Sequence, residues 1–151
     1  MIDKLPPMTL KSIGIVRNDI KETTARRNRD EVESEVVLDN SLTEGLDGLE
    51  GYSHVIVLFW MHRAMSDEVP LKVHPMGRKE LPLTGIFAVC TPNRPNRIGK
   101  TVVRLLRRQG NILKVKGLDA IDGSPVIDIK PYIPHSDSVP DAKVPQWITN
   151  H

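Results

Sequence analysis

The sequence holds a single cysteine, Cys90, so no disulfide can form within the chain and a reducing, cytoplasmic location is the expectation. The N-terminal stretch MIDKLPPMTLKSIG has none of the apolar core of a signal peptide. The longest apolar run, residues 55–61, is far too short to cross a bilayer as a helix. A large net charge is also missing, because 21 basic and 19 acidic residues leave only +2. Two nucleotide signatures fail as well. The triplet Gly99-Lys100-Thr101 looks like the end of a phosphate-binding loop, but Arg94 stands where that loop needs its first glycine. A side chain there would fill the space through which a phosphate approaches the backbone. Gly45, Gly48 and Gly51 fall three apart, which is not the G-x-G-x-x-G of a dinucleotide fold. No metal site is expected: His62, His74 and Cys90 lack the close pairs of a zinc centre. His54 and His62 lie about 26 Å apart if a strand of ~3.3 Å per residue joins them.

What remains is a single-domain length of 151 residues, enough to bury roughly 68–70% of the unfolded surface without a disulfide or metal. Most readable elements are strands. Residues 11–17 (KSIGIVR) and 31–37 have the β-branched or alternating pattern of short strands. Residues 53–62 (SHVIVLFWMH) are apolar on both alternating faces, as in a strand covered on both sides or one whose outer face meets a second subunit. Residues 71–73 and 85–89 suggest further short strands. Residues 101–107 and 112–117 flank Gln109-Gly110-Asn111 as a hairpin, and a strand at 126–129 follows the Asp122-Gly123 turn. Leu42, Leu46 and Leu49 predict one short helix over 40–51, begun by Asn40 or Ser41. Many short strands with one small helix favour a mainly-β barrel, with residues 1–134 as the barrel domain and 135–151 as a surface-draped or disordered tail.

Charge is unevenly distributed. Acidic residues gather at Glu31, Glu33, Glu35, Glu44, Asp47 and Glu50, and basic ones at Arg94, Arg97, Lys100, Arg104, Arg107, Arg108, Lys114 and Lys116. The basic half is either a polyanion-binding surface or an ordinary solvated hairpin face. His62 stands where the apolar strand ends, a usual position for a functional side chain. In TPNRPN (91–96), two prolines stiffen a segment carrying amide and guanidinium groups that can fork hydrogen bonds to planar or anionic ligands. In LDAIDGSP (118–125), Asp119 and Asp122 place carboxylates beside a tight glycine turn, and an ordinary turn is the competing reading.

Taken in order, IGIVRN (13–18), GLEGYSHVIVLFWMHR (48–63), GIFAVCTPNRPNRIGKTVV (85–103) and GLDAIDGSPVIDIKPYIP (117–134) resemble the TsaA-like, or TrmO-like, proteins along nearly the whole chain to Pro134. Characterised members of that family are S-adenosylmethionine-dependent tRNA methyltransferases that act on N6 of threonylcarbamoyl-adenosine beside the anticodon. The resemblance implies a small single-sheet β-barrel with one or two short helices, a homodimer, and tRNA as partner. It implies a cofactor pocket of Met61, His62, Cys90, Ile98, Asp119, Ile121, Asp122 and Gly123, with a weaker match at Thr24-Ala25-Arg26-Arg27. Arg94, Asn96, Arg97 and Lys100 would serve the substrate or the loop itself, and Asp128, Lys130 and Tyr132 match a DIKPY motif in which a structural role is equally open. His62, or a nearby Asp, would accept the proton that leaves the acceptor nitrogen.

The sequence departs from this pattern at one place. Relatives with F-A-T-R-S-P-x-R-P-N-P-I-G-L-[ST] carry arginine where this chain has Cys90, proline where it has Arg97, and leucine where it has Lys100. A pocket cation is lost and two are gained elsewhere. The competing reading is therefore a noncatalytic barrel that binds RNA or an adenosine-containing ligand.

Overall fold

The computed structural model describes residues 3–21, 28–63 and 67–149. Apolar residues alternating with polar ones build strands β1 (Gly14–Arg17) and β2 (Glu33–Leu38), and a run apolar on both faces builds β3 (His54–Trp60). After a small two-stranded sheet of β4 (Lys72–Val73) and β5 (Thr84–Gly85) come β6 (Ile98–Gln109), β7 (Ile112–Lys116) and β8 (Pro125–Pro131). Six strands close a barrel in the order β1-β2-β7-β6-β3-β8, with β8 returning to β1. Every pairing is antiparallel, and closure leaves no unpaired sheet edge.

The interior is mostly valine. Val16, Val36, Val55, Val57, Val103, Val115 and Val126 are all buried, together with Leu38, Phe59 and Leu113. A narrow six-stranded barrel has little room inside, and β-branched side chains fill it in few rotamers. Each such burial stabilises the fold by about 1.5–3 kcal/mol relative to exposure. On β3 the parity is strict, with Val55, Val57 and Phe59 inward and Ile56, Leu58 and Trp60 half-buried on the outer wall. Across the ladder, Ile56 faces Val102 and Trp60 faces Ile98, both partly exposed, so the outer wall carries an apolar strip.

Gly99 explains the triplet that resembled a phosphate loop. It lies inside β6 opposite Phe59, and a Cβ there would sit 2.5 Å from the phenyl ring. The glycine is required by the aromatic ring packed over it, and the following residues continue a strand, where a phosphate loop would open a helix.

Two expected elements take other forms. Residues 40–51 form 3₁₀ turns, Asn40–Leu46 and Leu49–Gly51, in place of one helix. Gly45 and Gly48 lower the helix propensity of so short a run, and only Leu46 is fully buried. The cap is Asp39, whose carboxylate accepts the Ser41 backbone N–H, so the element starts at Asn40 with its capping side chain one residue earlier. Residues 85–89 are mostly another 3₁₀ turn, Ile86–Ala88, with Ile86 buried and Phe87 exposed. Beyond β8, the short helices α1 (Pro134–Asp137) and α2 (Gln146–Thr149) contain no buried residue. Arg108 fixes the 3₁₀ segment to β6 through Asp47, Glu50 and the Thr43 carbonyl.

Replacing Gly99 by alanine should displace the Phe59 ring and cost about 1–3 kcal/mol, in the range of other overpacked cores. Urea denaturation would read this loss. Adding Phe59→Leu to G99A should recover part of it, and equal, additive losses would show that the two positions do not touch.

Candidate functional site

The antiparallel register sends all three long connections to one mouth of the barrel. β3 ends at Trp60 opposite the start of β6 at Ile98, β7 ends at Lys116 opposite the start of β2 at Glu33, and β1 ends beside the start of β8. The connections that follow β1, β3 and β7 therefore leave from and return to that mouth. Residues 24–27, expected to form an early part of the pocket, lie outside the described residues.

Segment 117–124 closes the mouth. Leu118 and Ala120 are buried, and Asp119 between them faces out to pair with Arg29. The Asp119 backbone N–H donates to Thr101 Oγ1 at 3.4 Å. Asp122 accepts from Lys21 Nζ at 2.6 Å and from the Asn18 backbone N–H at 3.0 Å. The Lys21 hydrogen bond first, then that of Asn18, holds the Asp122 carboxyl below its ordinary value of 3.8. A depressed carboxyl pKa stabilises at neutral pH, and this contribution is lost only as pH falls below the ordinary value through the folded one. Both carboxylates are thus engaged with basic side chains. Gly123, at φ +83°, turns the chain so that its N–H reaches the Val16 carbonyl at 2.8 Å.

The turn after β3 joins the other two connections to this segment. Met61 N–H donates to the Arg97 carbonyl at 2.8 Å, and its side chain packs against the core. Arg63 donates to the Lys21 carbonyl at 3.0 Å. The His62 ring lies against Gly123, with Nε2 3.8 Å from where a Cβ would stand, while Nδ1 is closed off from solvent without a partner. His62, Asp122 and Gly123 are thus neighbours at the junction.

The 90–97 loop is fixed largely by itself. Arg94 donates from its backbone to the Pro92 carbonyl at 3.0 Å and from its guanidinium to the Val89 carbonyl at 2.7 Å. Ile98 N–H donates to the Asn96 carbonyl at 2.8 Å. Cys90 is exposed. Ile98 and Lys100 lie opposite Trp60 and Leu58 on the outer wall, outside the His62–Gly123 contact. Ile121 is half-buried within segment 117–124. A cleft of about 420 Å³ opens between β1 and β2, lined by Asn18, Asp19, Glu33, Ser34 and Asp122 among others. It shares Asp122 with the junction and includes neither His62 nor the 90–97 loop.

Asn18 is the residue that sequence reasoning left without a role. Its Nδ2 donates to Ser34 Oγ at 3.0 Å and the Ala120 carbonyl at 2.8 Å, and its Oδ1 accepts the Ile20 N–H at 2.9 Å. One amide therefore ties β1 and β2 to the mouth segment. An Asn directly after a four-residue strand was the available signal, and it names no partner.

The basic block is smaller than its sequence suggests. Arg108 pairs with Asp47 and Glu50, Lys114 with Glu33, and Lys116 with Glu31. Across β2 and β7 the acidic and basic clusters largely cancel. Lys100, Arg104 and Arg107 have no acidic partner among the described residues.

The barrel recurs in known proteins. The family profile of the tRNA-methyltransferase O N-terminal domain matches residues 21–138. An S-adenosyl-L-methionine-binding protein of Archaeoglobus fulgidus is 43% identical over 135 residues, covering 87% of this chain and 94% of that protein. A mouse tRNA (adenine(37)-N6)-methyltransferase is 42% identical over 99 residues, covering 66% of this chain and 23% of its own length. The crystal structure of TrmO from Pseudomonas aeruginosa superimposes with a TM-score of 0.75 at 33% identity, over 91% of this chain and 62% of that one. The chain thus spans less than two thirds of that solved protein, and 37% of a second A. fulgidus relative. A profile match across most of the chain, with the same barrel at 33% identity, establishes that the chain belongs to the tRNA-methyltransferase O (TrmO) family.

Proposed function

We propose that this chain is an S-adenosylmethionine-dependent methyltransferase acting on N6 of threonylcarbamoyl-adenosine beside the tRNA anticodon, as a cytoplasmic homodimer. Residues 1–134 would carry the activity and 135–151 would form a surface tail. The observation that carries this reading is the junction at the barrel mouth. It brings His62 against the Asp122-Gly123 turn, two motifs distant in sequence, and similar proteins are named for binding the methyl donor or methylating tRNA.

The methyl donor supplies an electrophilic methyl on a sulfonium, which passes in line to the acceptor nitrogen. What the chain must supply is alignment of nitrogen, methyl and sulfur, chiefly a proximity effect. Its residues fit that task. The mouth is held by backbone hydrogen bonds from all three connections, which suits a pocket that must not move by an ångström. His62, whose ring lies against Gly123 at the junction, is the side chain suited to take the proton displaced from the acceptor nitrogen, whose carbamoyl group makes it a weak nucleophile. The fit of Asp119 and Asp122 is to the loop more than to a cation, since Arg29 and Lys21 already neutralise them.

The homodimer rests on the outer strip of Ile56, Leu58, Trp60, Ile98 and Val102, which is wasteful in a solvated monomer. A sedimentation mass equal to one chain would remove this part of the proposal. Contact with tRNA rests on Lys100 and Arg104, which flank Val102 on the outer face of β6 and have no acidic partner among the described residues. Because they share that face with the apolar strip, the tRNA would lie along the edge of the dimer seam.

Calorimetric titration should give saturable binding of S-adenosylmethionine and none of ATP. A folded protein that ignores the methyl donor would favour the noncatalytic RNA-binding reading, with the cysteine at position 90 as the departure responsible. His62→Asn should lower the transfer rate roughly 10²–10⁴-fold, the range for loss of a general base, while donor affinity stays within a few-fold. Equal transfer by both forms would leave His62 as a packing residue. Affinity for tRNA should fall steeply with salt, and Lys100→Ala with Arg104→Ala should reduce the slope by about one unit each. An unchanged slope would place the tRNA elsewhere on the barrel.

A further inference from the structure

The long connection 61–97 holds an excess of charge that the rest of the chain does not. It carries Arg63, Lys72, Arg78, Lys79, Arg94 and Arg97 against Asp67, Glu68 and Glu80, so it is basic by three where the whole chain is basic by two. Arg78 is paired with Glu80 at 2.6 Å. Lys72 and Lys79 have no acidic partner among the described residues. The small β4–β5 sheet in this connection is therefore a basic lobe, whereas the charges of β2 and β7 largely cancel.

The lobe also presents the most exposed aromatic ring among the described residues. Phe59 is 4% exposed in the core, but Phe87 is 78% exposed. The backbone leaves Phe87 no inward course. Gly85 pairs with Lys72 across the ladder, and Ile86, which is buried, donates its N–H to the Leu71 carbonyl at 2.9 Å. Successive side chains of a 3₁₀ turn diverge by about 120°, so a buried Ile86 turns Phe87 to solvent. On the far side, the Val89 carbonyl accepts the Arg94 guanidinium at 2.7 Å. The ring is held in the open on anchored backbone, two residues from the Lys72–Gly85 pair.

An accessible ring beside uncompensated ammonium groups fits one class of partner. A second copy docked by a two-fold axis through the lobe would set the basic surface against itself. A single-stranded nucleic acid offers both complements, a flat base for the ring and a phosphate for each lysine. Bases within a duplex hide their faces in the stack, so the ring can take only an unpaired one. We infer that Phe87 is a stacking platform for an unpaired nucleobase of RNA, with Lys72 and Lys79 engaging neighbouring phosphates.

This rests on the tRNA reading, since an anticodon loop supplies unpaired bases beside the acceptor adenosine. The test measures binding of an anticodon stem-loop RNA, and of a fully paired RNA duplex, by the native protein and three variants of Phe87. Phe87→Ala should weaken stem-loop binding roughly 5- to 150-fold, the loss of one base–aromatic stack, and leave duplex binding within about twofold. Phe87→Trp keeps a π face and should bind as the native protein does. Phe87→Leu keeps only apolar bulk and should bind like the alanine form. Lys72→Ala and Lys79→Ala should each reduce the salt slope by about 0.7, the value for one single-strand phosphate.

Because the ring is exposed, Phe87→Ala should melt no lower than the native protein and sediment with the same mass. Lower melting with equal loss for both RNAs would make Phe87 a packing residue and overturn the inference. So would stem-loop binding unchanged in F87A, rescue by leucine, or no stem-loop binding by the native protein. A fall in sedimentation mass would overturn it too, by making the lobe a contact between copies. Ring-dependent RNA binding by a protein that transfers no methyl would defeat the functional reading and leave this one standing. Methyl transfer to tRNA with rate and KM unchanged in F87A would do the reverse.

Discussion

Everything at the functional end of this protein depends on the antiparallel closure of six strands. Adjacent antiparallel strands run in opposite directions, so consecutive barrel strands deliver their connections alternately to the two mouths. Here the short hairpin and the 3₁₀ segment fall at one mouth, and the three long connections at the other. That alternation brings together three segments separated by tens of residues without any domain interface. It also accounts for the placement of the barrel's least regular backbone, because a loop can leave the sheet only where a strand ends.

A closed barrel of mostly valines is rigid but has little interior to spare for a ligand, so the site has to be built on the rim. The rim's precision comes from polar links between connections. Asn18 binds β2 and the 118–123 segment, and Lys21 and the Asn18 amide hold Asp122. The 61–63 turn contacts the other two connections through Gly123 and the Lys21 carbonyl, while the Arg97 carbonyl ties it to the far end of its own connection. The links from Asn18 and Lys21 to Ala120 and Asp122 join the first strand's end to the last strand's start, so they form where β8 returns to β1.

Much of the architecture was legible because strand parity is a local signal. The inward Val55, Val57 and Phe59, the Gly110 hairpin and the turn at Asp122-Gly123 all follow from residues within a few positions of one another. The reading weakened wherever a partner far along the chain decided the outcome. Leucines at helical spacing over 40–51 gave 3₁₀ turns, because the packing surface beneath them covers Leu46 and leaves Leu42 half exposed. The basic block read as a polyanion-binding surface or a solvated face, yet β2 and β7 are neighbours and the acidic block neutralises much of it. Asn18 gave no sign of its role because its partners, Ser34 and Ala120, lie 16 and 102 residues away.

The same distinction explains why the Gly-Lys-Thr triplet misleads. A short motif constrains chemistry only together with the backbone that presents it, and here the backbone is a strand whose glycine makes room for Phe59. Lysine 100 then points outward beside Leu58, where it adds charge to the wall and not to a phosphate cradle. By contrast, the prolines of the 91–96 segment fix backbone conformation whatever surrounds them, so its rigidity survives from sequence into structure. A rigid loop can hold a buried acceptor unpaired, as at Asn93, whereas a flexible one would turn it to water. The carbonyls of Val89, Pro92 and Arg97 make the loop's anchoring bonds, so these bonds do not depend on which side chains stand at positions 90 and 97.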